Sequence, residues 1–501
     1  MVENVTLALT LVFTFENLAF ACLGLMLGFI FGAMPGIGAN VAIGLLIPFT
    51  FYLDPIVAIV CLLAIGKGAS FGSSVPAILL GMPGTSQAAF TAIDGYQLTR
   101  RGHSKKALQT GLFASVLGDL FSDIVLILVA APLAMVALSI GPPEYAAIIF
   151  LALLVIGAMI GSAPLKGLIS AGVGLALGTV GRDLYTNIER FTFSLPNLED
   201  GIQIVPLLLG LLVFSEVLVQ LRRELLGRGA GDAREMRYDP AAEPLRWQEF
   251  RKHLGVIFYG SSIGTIVGAI PGLGATVGTF LAYSEAKRTA PADEEVGKGS
   301  LRGVAAAEAG NSASTGANLI PLVTLGIPGN IEAALVLGAF MIHGLTPGPF
   351  LMQQQAPLLY AIFLSLIVAN VLLLVLGFGF LRLARYALKI DPLILLPIIL
   401  VVTTFGTYAA TRSFFDLMIM FIFGIFGYVI RRLGFSPIPM LIAFLLGPIL
   451  EDGIRRSLLM SGGDILIFFQ RPISLAFIAL SVIVLIAIFR TFLRSKGKLG
   501  R

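Results

Sequence analysis

The chain has 501 residues, of which 57% are hydrophobic and only 13% charged, against roughly 25% charged in soluble domains, so a water-soluble fold is excluded. The formal net charge of +5 fits basic loops at a membrane face better than a nucleic-acid partner. Two cysteines (Cys22, Cys61) in apolar runs and three scattered histidines (His103, His253, His343) exclude a disulfide framework and a histidine-ligated metal centre.

Residues 1–15 lack a basic n-region and a small-residue cleavage site, so no cleavable signal is expected. The first half runs over 16–220. An apolar stretch covers 18–34, breaks at Pro35-Gly36 and resumes to Tyr52. A second covers 56–66 and passes into the small polar run Gly66–Ser74. A polar loop is expected at 94–106, with a turn at Asp94-Gly95. Spans are then predicted at 107–139, 144–160, 165–181 and 201–220. The hydrophilic segment 221–252 reads as a linker. Trp247 and Phe250 within it fit either an interfacial amphipathic piece or a plain solvated linker.

The second half repeats the plan. It has a broken apolar stretch at 254–284, a charged loop at 285–302, a small polar run at 308–318, and spans at 355–381, 392–410, 414–430 and 436–450. A last apolar segment, 474–493, has no partner in the first half and ends in a basic tail. The organisation expected is a first repeat over 1–220, a cytoplasmic linker over 221–252, a second repeat over 253–470, and a terminal helix with its tail over 471–501.

The duplication is explicit. Gly24–Ala39 reads GLMLGFIFGAMPGIGA and Gly260–Ala275 reads GSSIGTIVGAIPGLGA. Pro76–Gly84 reads PAILLGMPG and Pro321–Gly329 reads PLVTLGIPG. Basic residues follow the second motif in half one (Arg100, Arg101, Lys105, Lys106) but the first motif in half two. If Lys and Arg mark the cytoplasm, the halves are inverted-topology repeats, as is common in secondary transporters. Arg455 and Arg456 then fall outside, against the rule. The scheme also makes 18–52 and 254–286 hairpins bent at their Pro-Gly. The fold class expected is an all-α polytopic membrane protein with two inverted repeats and about twelve membrane segments.

A Pro-Gly bend frees backbone amides and carbonyls at membrane depth, where only protein or a water-filled cavity can satisfy them. Free amides attract anions and free carbonyls can hold cations. The substrate-binding residues expected in half one are Pro35, Gly36, Gly38, Asn40, Ser70, Ser73, Ser74, Gly84 and Thr85. In half two they are Pro271, Gly272, Gly274, Thr276, Asn311, Asn318, Pro328, Gly329 and Asn330. The cation-coupling candidates are Ser70, Ser312, Ser314, Thr315 and Glu308, with sodium a coupling ion these motifs could hold. Gly24, Gly28, Gly260 and Gly264 read instead as helix-packing residues. Lys67, Glu308, Glu332 and the pair Asp119 and Asp123, one turn apart on one helix face, are ionisable groups in apolar surroundings. Such groups are functional candidates, with ion pairing or a subunit contact as the structural reading of the two aspartates.

These motifs, with SFGSSVPAILLGMPGT, DGYQLTRRG, GPPEY (141–145), RFTFSLPNLEDG (190–201), EAGNSASTGANLIPLVTLGIPG, HGLTPGPF (343–350) and LGPILEDGIRRSL (446–458), resemble the large membrane subunit of the tripartite tricarboxylate transporters, the TctA-type protein. The resemblance covers nearly the whole chain. A Tyr-Gly-Gly-Ser of that pattern is Phe71-Gly72-Ser73-Ser74 here, and an Asn-Asn pair is Asn311-Ser312; both departures bear on substrate or ion preference. The resemblance implies a bacterial inner-membrane importer of a di- or tricarboxylate such as citrate, driven by a sodium or proton gradient. It implies a small membrane subunit of about four helices and a periplasmic solute-binding protein as partners, with no enzymatic activity and no cofactor. An aromatic or amino-acid carboxylate is the alternative substrate class. A membrane-embedded enzyme and a structural subunit are more distant readings. Movement of the motif regions against a scaffold of 107–139 and 355–386 at a homodimer interface is the mechanism expected.

Overall fold

The apolar runs fold as α-helices. A computed structural model describes residues 2–34, 38–159, 163–183, 185–226, 243–291, 294–387 and 392–499. The order is α1 (Val2–Val12), α2 (Phe15–Ala33), α3 (Gly38–Thr50), α4 (Pro55–Leu80), α5 (Ala88–Arg100), α6 (Ser104–Leu138), α7 (Pro142–Met159) and α8 (Pro164–Gly178). A small antiparallel pair follows, β1 (Gly181–Arg182) with β2 (Glu189–Arg190). Next come α9 (Ile204–Leu208), a π-helical turn (Leu209–Phe214), α10 (Ser215–Leu225), α11 (Trp247–Arg251), α12 (Leu254–Gly268), α13 (Gly274–Arg288), α14 (Leu301–Ala317) and α15 (Leu319–Leu325). The chain continues through α16 (Ile331–Ile342), α17 (Pro349–Gln354), α18 (Ala356–Ala387), α19 (Pro392–Thr411), α20 (Phe414–Arg432), α21 (Pro437–Met460), α22 (Ile467–Gln470) and α23 (Pro472–Leu499).

Among the described residues, ten helices are long and apolar enough to cross a membrane, and four shorter apolar ones accompany them. The protein is an all-α polytopic membrane protein. The roughly twelve segments expected fall between the ten long helices and the fourteen that include the four short ones. At 1.5 Å per residue the 13 residues of α3 reach only about 20 Å, short of the ~30 Å hydrocarbon core.

The chain forms two compact units that cut across the sequence halves. One contains Met1–Pro132 and Glu216–Gly406, and the other Leu133–Ser215 and Thr407–Arg501. All four Pro-Gly motifs fall in the first. So do α18 and most of α6, the helices expected to form a separate scaffold. The reason lies in their packing: the Phe380 ring of α18 stacks on Phe29 of α2 at 5.0 Å, and Phe29 meets Phe71 of α4 edge-on.

In the first unit, α2 lies along α4 and α12 along α14. Glycine makes both approaches close enough: a Cβ on Gly28 would collide with the Ile65 carbonyl, and one on Gly264 would stand 2.5 Å from the Gly310 carbonyl. The G-x3-G rows are therefore packing rows. Gly264 and Gly278 lie seven residues either side of Pro271, and the Cα of one is 3.5 Å from the Cβ position of the other. That contact requires α12 and α13 to run antiparallel, the hairpin expected at 254–286. α2 and α3 also pack together. The P-x4-G-x-P-G motif ends a helix identically in both copies. Gly81 (φ 67°) and Gly326 (φ 68°) are left-handed C-caps. The next amides, of Met82 and Ile327, donate to the carbonyls of Pro76 and Pro321.

The polar run Gly66–Ser74 lies inside the 26-residue α4 and is buried, because small residues let α2 pack against it. Two expectations change. The segment 94–106 is mostly helix, and Asp94 makes no turn. It sits in α5, where its Oδ1 accepts from the amides of Gly297, Gly299 and Ser300 (2.7–2.9 Å) and its Oδ2 from the Tyr283 hydroxyl (2.8 Å). The linker, outside the described residues at 227–242, is pinned in its second part. Lys106 pairs with Glu249 at 2.8 Å, and the buried Phe250 packs on Phe113 while Trp247 is exposed.

In the second unit, α7 and α8 pack on α21, and α23 packs on α7. Arg455 is committed to Asp183 and Glu451, and Arg456 to Asp452. Both arginines, which the charge scheme would put outside, are thus held in ion pairs. The amides of Thr186 and Tyr185, with Arg455, hold the Asp183 carboxyl well below the usual carboxylate range, against an opposing effect of burial. A depressed carboxyl stabilises the folded loop above the ordinary aspartate pKa of about 3.9 and loses that effect only as pH falls towards its own lower value. Protease susceptibility of the 181–201 segment is therefore expected to stay constant from about pH 7 to about pH 5; cleavage that rises within this window contradicts the assignment.

Candidate functional site

The three described breaks of the first unit come together. In half one, a Cβ on Gly84 would overlap the Gly32 carbonyl at the end of α2, and the Gly84 amide donates to the Ser73 carbonyl at 3.2 Å. Thr85 Oγ1 donates to Ser73 Oγ at 3.1 Å, and Ser73 Oγ to the Ser70 carbonyl at 2.9 Å. In half two, the Gly272 amide donates to the Gly329 carbonyl at 3.1 Å, tying the bend of the hairpin to the second motif. Ser86 Oγ and Thr276 Oγ1 lie 2.9 Å apart and link the halves. Gly38 and Gly274, equivalent residues that open α3 and α13, both have φ 67°. Pro35 and Gly36 lie outside the described residues. Pro271 sits between α12 and α13, and Pro328 between α15 and α16.

Asn318 stands where α14 passes into α15. Its Nδ2 donates to the Ser314 carbonyl at 2.7 Å, while its Oδ1 faces Gly329, where a Cβ would overlap it. That oxygen has no hydrogen-bond partner among the described residues, nor have Asn40 Oδ1, Ser70 Oγ, Ser312 Oγ and both amide atoms of Asn311. Asn311 and Ser312 are fully buried. Buried polar groups are normally paired, so each of these unused oxygens has the chemistry to meet a small cation or a polar substrate. Asn330, by contrast, is occupied: its Oδ1 caps α16 by accepting the Ala333 amide at 2.8 Å. Thr315 and Ser314 donate to backbone carbonyls, Ser314 to both Gly264 and Gly310.

A cavity of about 30 Å³ lies against Asn318, with Lys67, Thr315, Asn330 and Glu332 also among its walls. Such a volume is about the share of one water in the liquid. Lys67 Nζ contacts Asp123 Oδ2 at 2.8 Å, Asn370 Oδ1 at 3.1 Å and Asp119 Oδ1 at 3.3 Å. The two aspartates are thus paired, as their structural reading held. Asn370, a lone amide in the apolar run of α18, escaped the sequence reading; an isolated polar residue in a span is the signal that marks it.

Glu308 stands apart from the breaks. It is fully buried and accepts from Ser74 Oγ at 2.6 Å, Ser115 Oγ at 2.9 Å and Thr91 Oγ1. Three hydroxyls from α4, α5 and α6 thus face its two oxygens, and the Ser74 hydroxyl is engaged there.

No solved structure matches this chain. It is 36% identical over 496 residues (99% of this chain, 98% of the relative) to an uncharacterized 52.8 kDa protein of Agrobacterium vitis in the TAR-I ttuC′ 3′ region. A second uncharacterized A. vitis protein, in the TAR-II ttuC′ 3′ region, is 36% identical over 233 residues, 46% of this chain and 96% of the relative. Residues 18–442 match the tripartite tricarboxylate transporter TctA family. With matched Pro-Gly breaks in an all-helical, multi-pass membrane chain, and that family match across most of its length, this protein belongs to the TctA family, whose members are transporter components.

Proposed function

We propose that the protein is the large membrane subunit of a binding-protein-dependent secondary transporter that imports a di- or tricarboxylate of the citrate kind across the bacterial inner membrane. A sodium or proton gradient drives it, and it works with a small four-helix membrane subunit and a periplasmic solute-binding protein, as a homodimer in the lipid bilayer. The observation that carries the reading is the junction of the breaks: Gly272 to Gly329, Gly84 to Ser73 and Ser86 to Thr276, with the unpaired Asn318 oxygen against Gly329. Substrate carboxylates lie against amides at the breaks, and sodium, where used, against the nearby oxygens. The halves act as inverted repeats, and the motif-bearing unit moves as one body in an elevator-like cycle. Another organic anion, aromatic or derived from an amino acid, is the alternative cargo.

Uptake of a labelled carboxylate panel into proteoliposomes holding this subunit and its small partner, with and without the binding protein, tests the reading under imposed sodium or proton gradients. Accumulation that needs the binding protein and one gradient supports it. No uptake of any acid, including the binding protein's own ligand, overturns it. Gly329→Ala drives a methyl into the Asn318 amide and displaces the break. A misplacement of about 1 Å can cost on the order of 10²-fold in rate, so uptake is expected to fall by about that factor while assembly persists. Unchanged uptake would remove Gly329 and Asn318 from the site.

A further inference from the structure

The cluster around Lys67 carries an imbalance of charge. Lys67, Asp119 and Asp123 have side chains only 4%, 1% and 1% exposed. One ammonium faces two carboxylates, so full ionisation would leave one uncompensated negative charge in the interior. A buried charge without a counter-charge is strongly disfavoured, and the group neutralises instead.

The geometry says which acid is left over. Asp123 Oδ2 accepts from both Lys67 Nζ (2.8 Å) and Asn370 Nδ2 (2.7 Å). Asn370 Oδ1 turns to the same ammonium at 3.1 Å, completing a ring. Asp119 has only the 3.3 Å contact of its Oδ1 with Lys67, and its Oδ2 has no partner among the described residues. The charged and polar groups facing Asp119 are Lys67 from α4, Asp123 one turn along α6, Asn370 from α18 through the ring, and Glu332 from α16. Glu332 shares the 30 Å³ cavity with Lys67 and the unpaired Asn318. Asp123 Oδ1 is likewise without a hydrogen-bond partner among the described residues, but a sodium ion at Asp119 would stand against the Lys67 ammonium, 3.3 Å from Asp119 Oδ1. A proton needs one oxygen and no volume.

We propose that Asp119 is the residue on which this protein carries a coupling proton, with Lys67, Asp123 and Asn370 as the fixed frame that leaves its Oδ2 free. The proton enters from water, forms an O–H bond at Asp119 Oδ2 and returns to water; no other bond changes. Its coupling role rests on the transport reading above, whereas the protonated carboxyl does not.

The test is infrared spectroscopy of the full-length protein in lipid vesicles, titrated with pH and repeated with ¹³C-labelled aspartate. The expected result is a carboxylic-acid carbonyl band at neutral pH that shifts with the label and in D₂O, vanishes on alkalinisation, and is lost in Asp119→Asn. In Asp119→Glu, the second variant should the amide fail to fold, the band persists but no longer responds to the aspartate label. A wild-type spectrum with no aspartic-acid band, or a label-sensitive band that survives either substitution, overturns the proposal. Citrate uptake, with the binding protein, separates the two readings. Accumulation driven by sodium alone, with the band absent, overturns the proton site only. A band present in a protein that moves no carboxylate under either gradient overturns the transport reading only.

Discussion

Replacing Lys67 with methionine is expected to destabilise the protein by about 3–5 kcal/mol, the cost of breaking a buried ion pair from one side. The methionine fills the stem's volume, so the loss is electrostatic and not a cavity effect. It strands Asp123 with only the Asn370 amide and leaves Asp119 with no cation. The double variant Lys67→Met/Asp123→Asn restores neutrality if Asp119 carries a proton, and is expected to recover more than half of the loss. Denaturant unfolding in mixed micelles measures both. A double variant no more stable than Lys67→Met would show that the pairing is not what holds α4 to α6 here.

Glu308→Ala is the second large effect. Three hydroxyls, of Ser74, Thr91 and Ser115, converge on the carboxyl of a fully buried residue. Valued at the roughly 0.6 kcal/mol typical of hydrogen bonds between membrane helices, their loss costs about 2 kcal/mol. If the stranded hydroxyls bear their full desolvation cost, the total reaches about 5 kcal/mol. Glu308→Gln keeps an acceptor and the shape, and should lose about 1 kcal/mol. The same unfolding assay ranks the three proteins. Equal losses for alanine and glutamine would mean that the carboxylate charge matters more than the hydroxyl cage.

The long spans were legible because composition alone selects them: the stretches expected at 107–139, 355–381 and 414–430 are helices Ser104–Leu138, Ala356–Ala387 and Phe414–Arg432. The hairpin at 254–286 was legible too, since proline and glycine interrupt helices for local reasons. Residues whose conformation is set at a distance were not. Asp94-Gly95 has the local chemistry of a turn, but the amides of 297–300 hold Asp94 inside a helix. Glu308 stood out as an acid in apolar sequence, yet its partners lie 193 to 234 positions away, beyond any local pattern. Gly66–Ser74 was legible only as a small polar run; its continuation of α4 depends on close packing of its small side chains against α2.

The halves are interlocked by these distant bonds, and this bears on how the chain is made. When Ser74, Thr91, Asp94 and Ser115 leave the ribosome, the groups that will satisfy them are not yet synthesised. At roughly 5–20 residues per second, they wait on the order of ten seconds or more in the bilayer before Glu308 arrives. The first half cannot complete its fold as a separate inserted piece. Biogenesis must hold it open until its counterpart is threaded in, and a chain severed in the 221–252 segment should assemble only where both pieces enter the same membrane together.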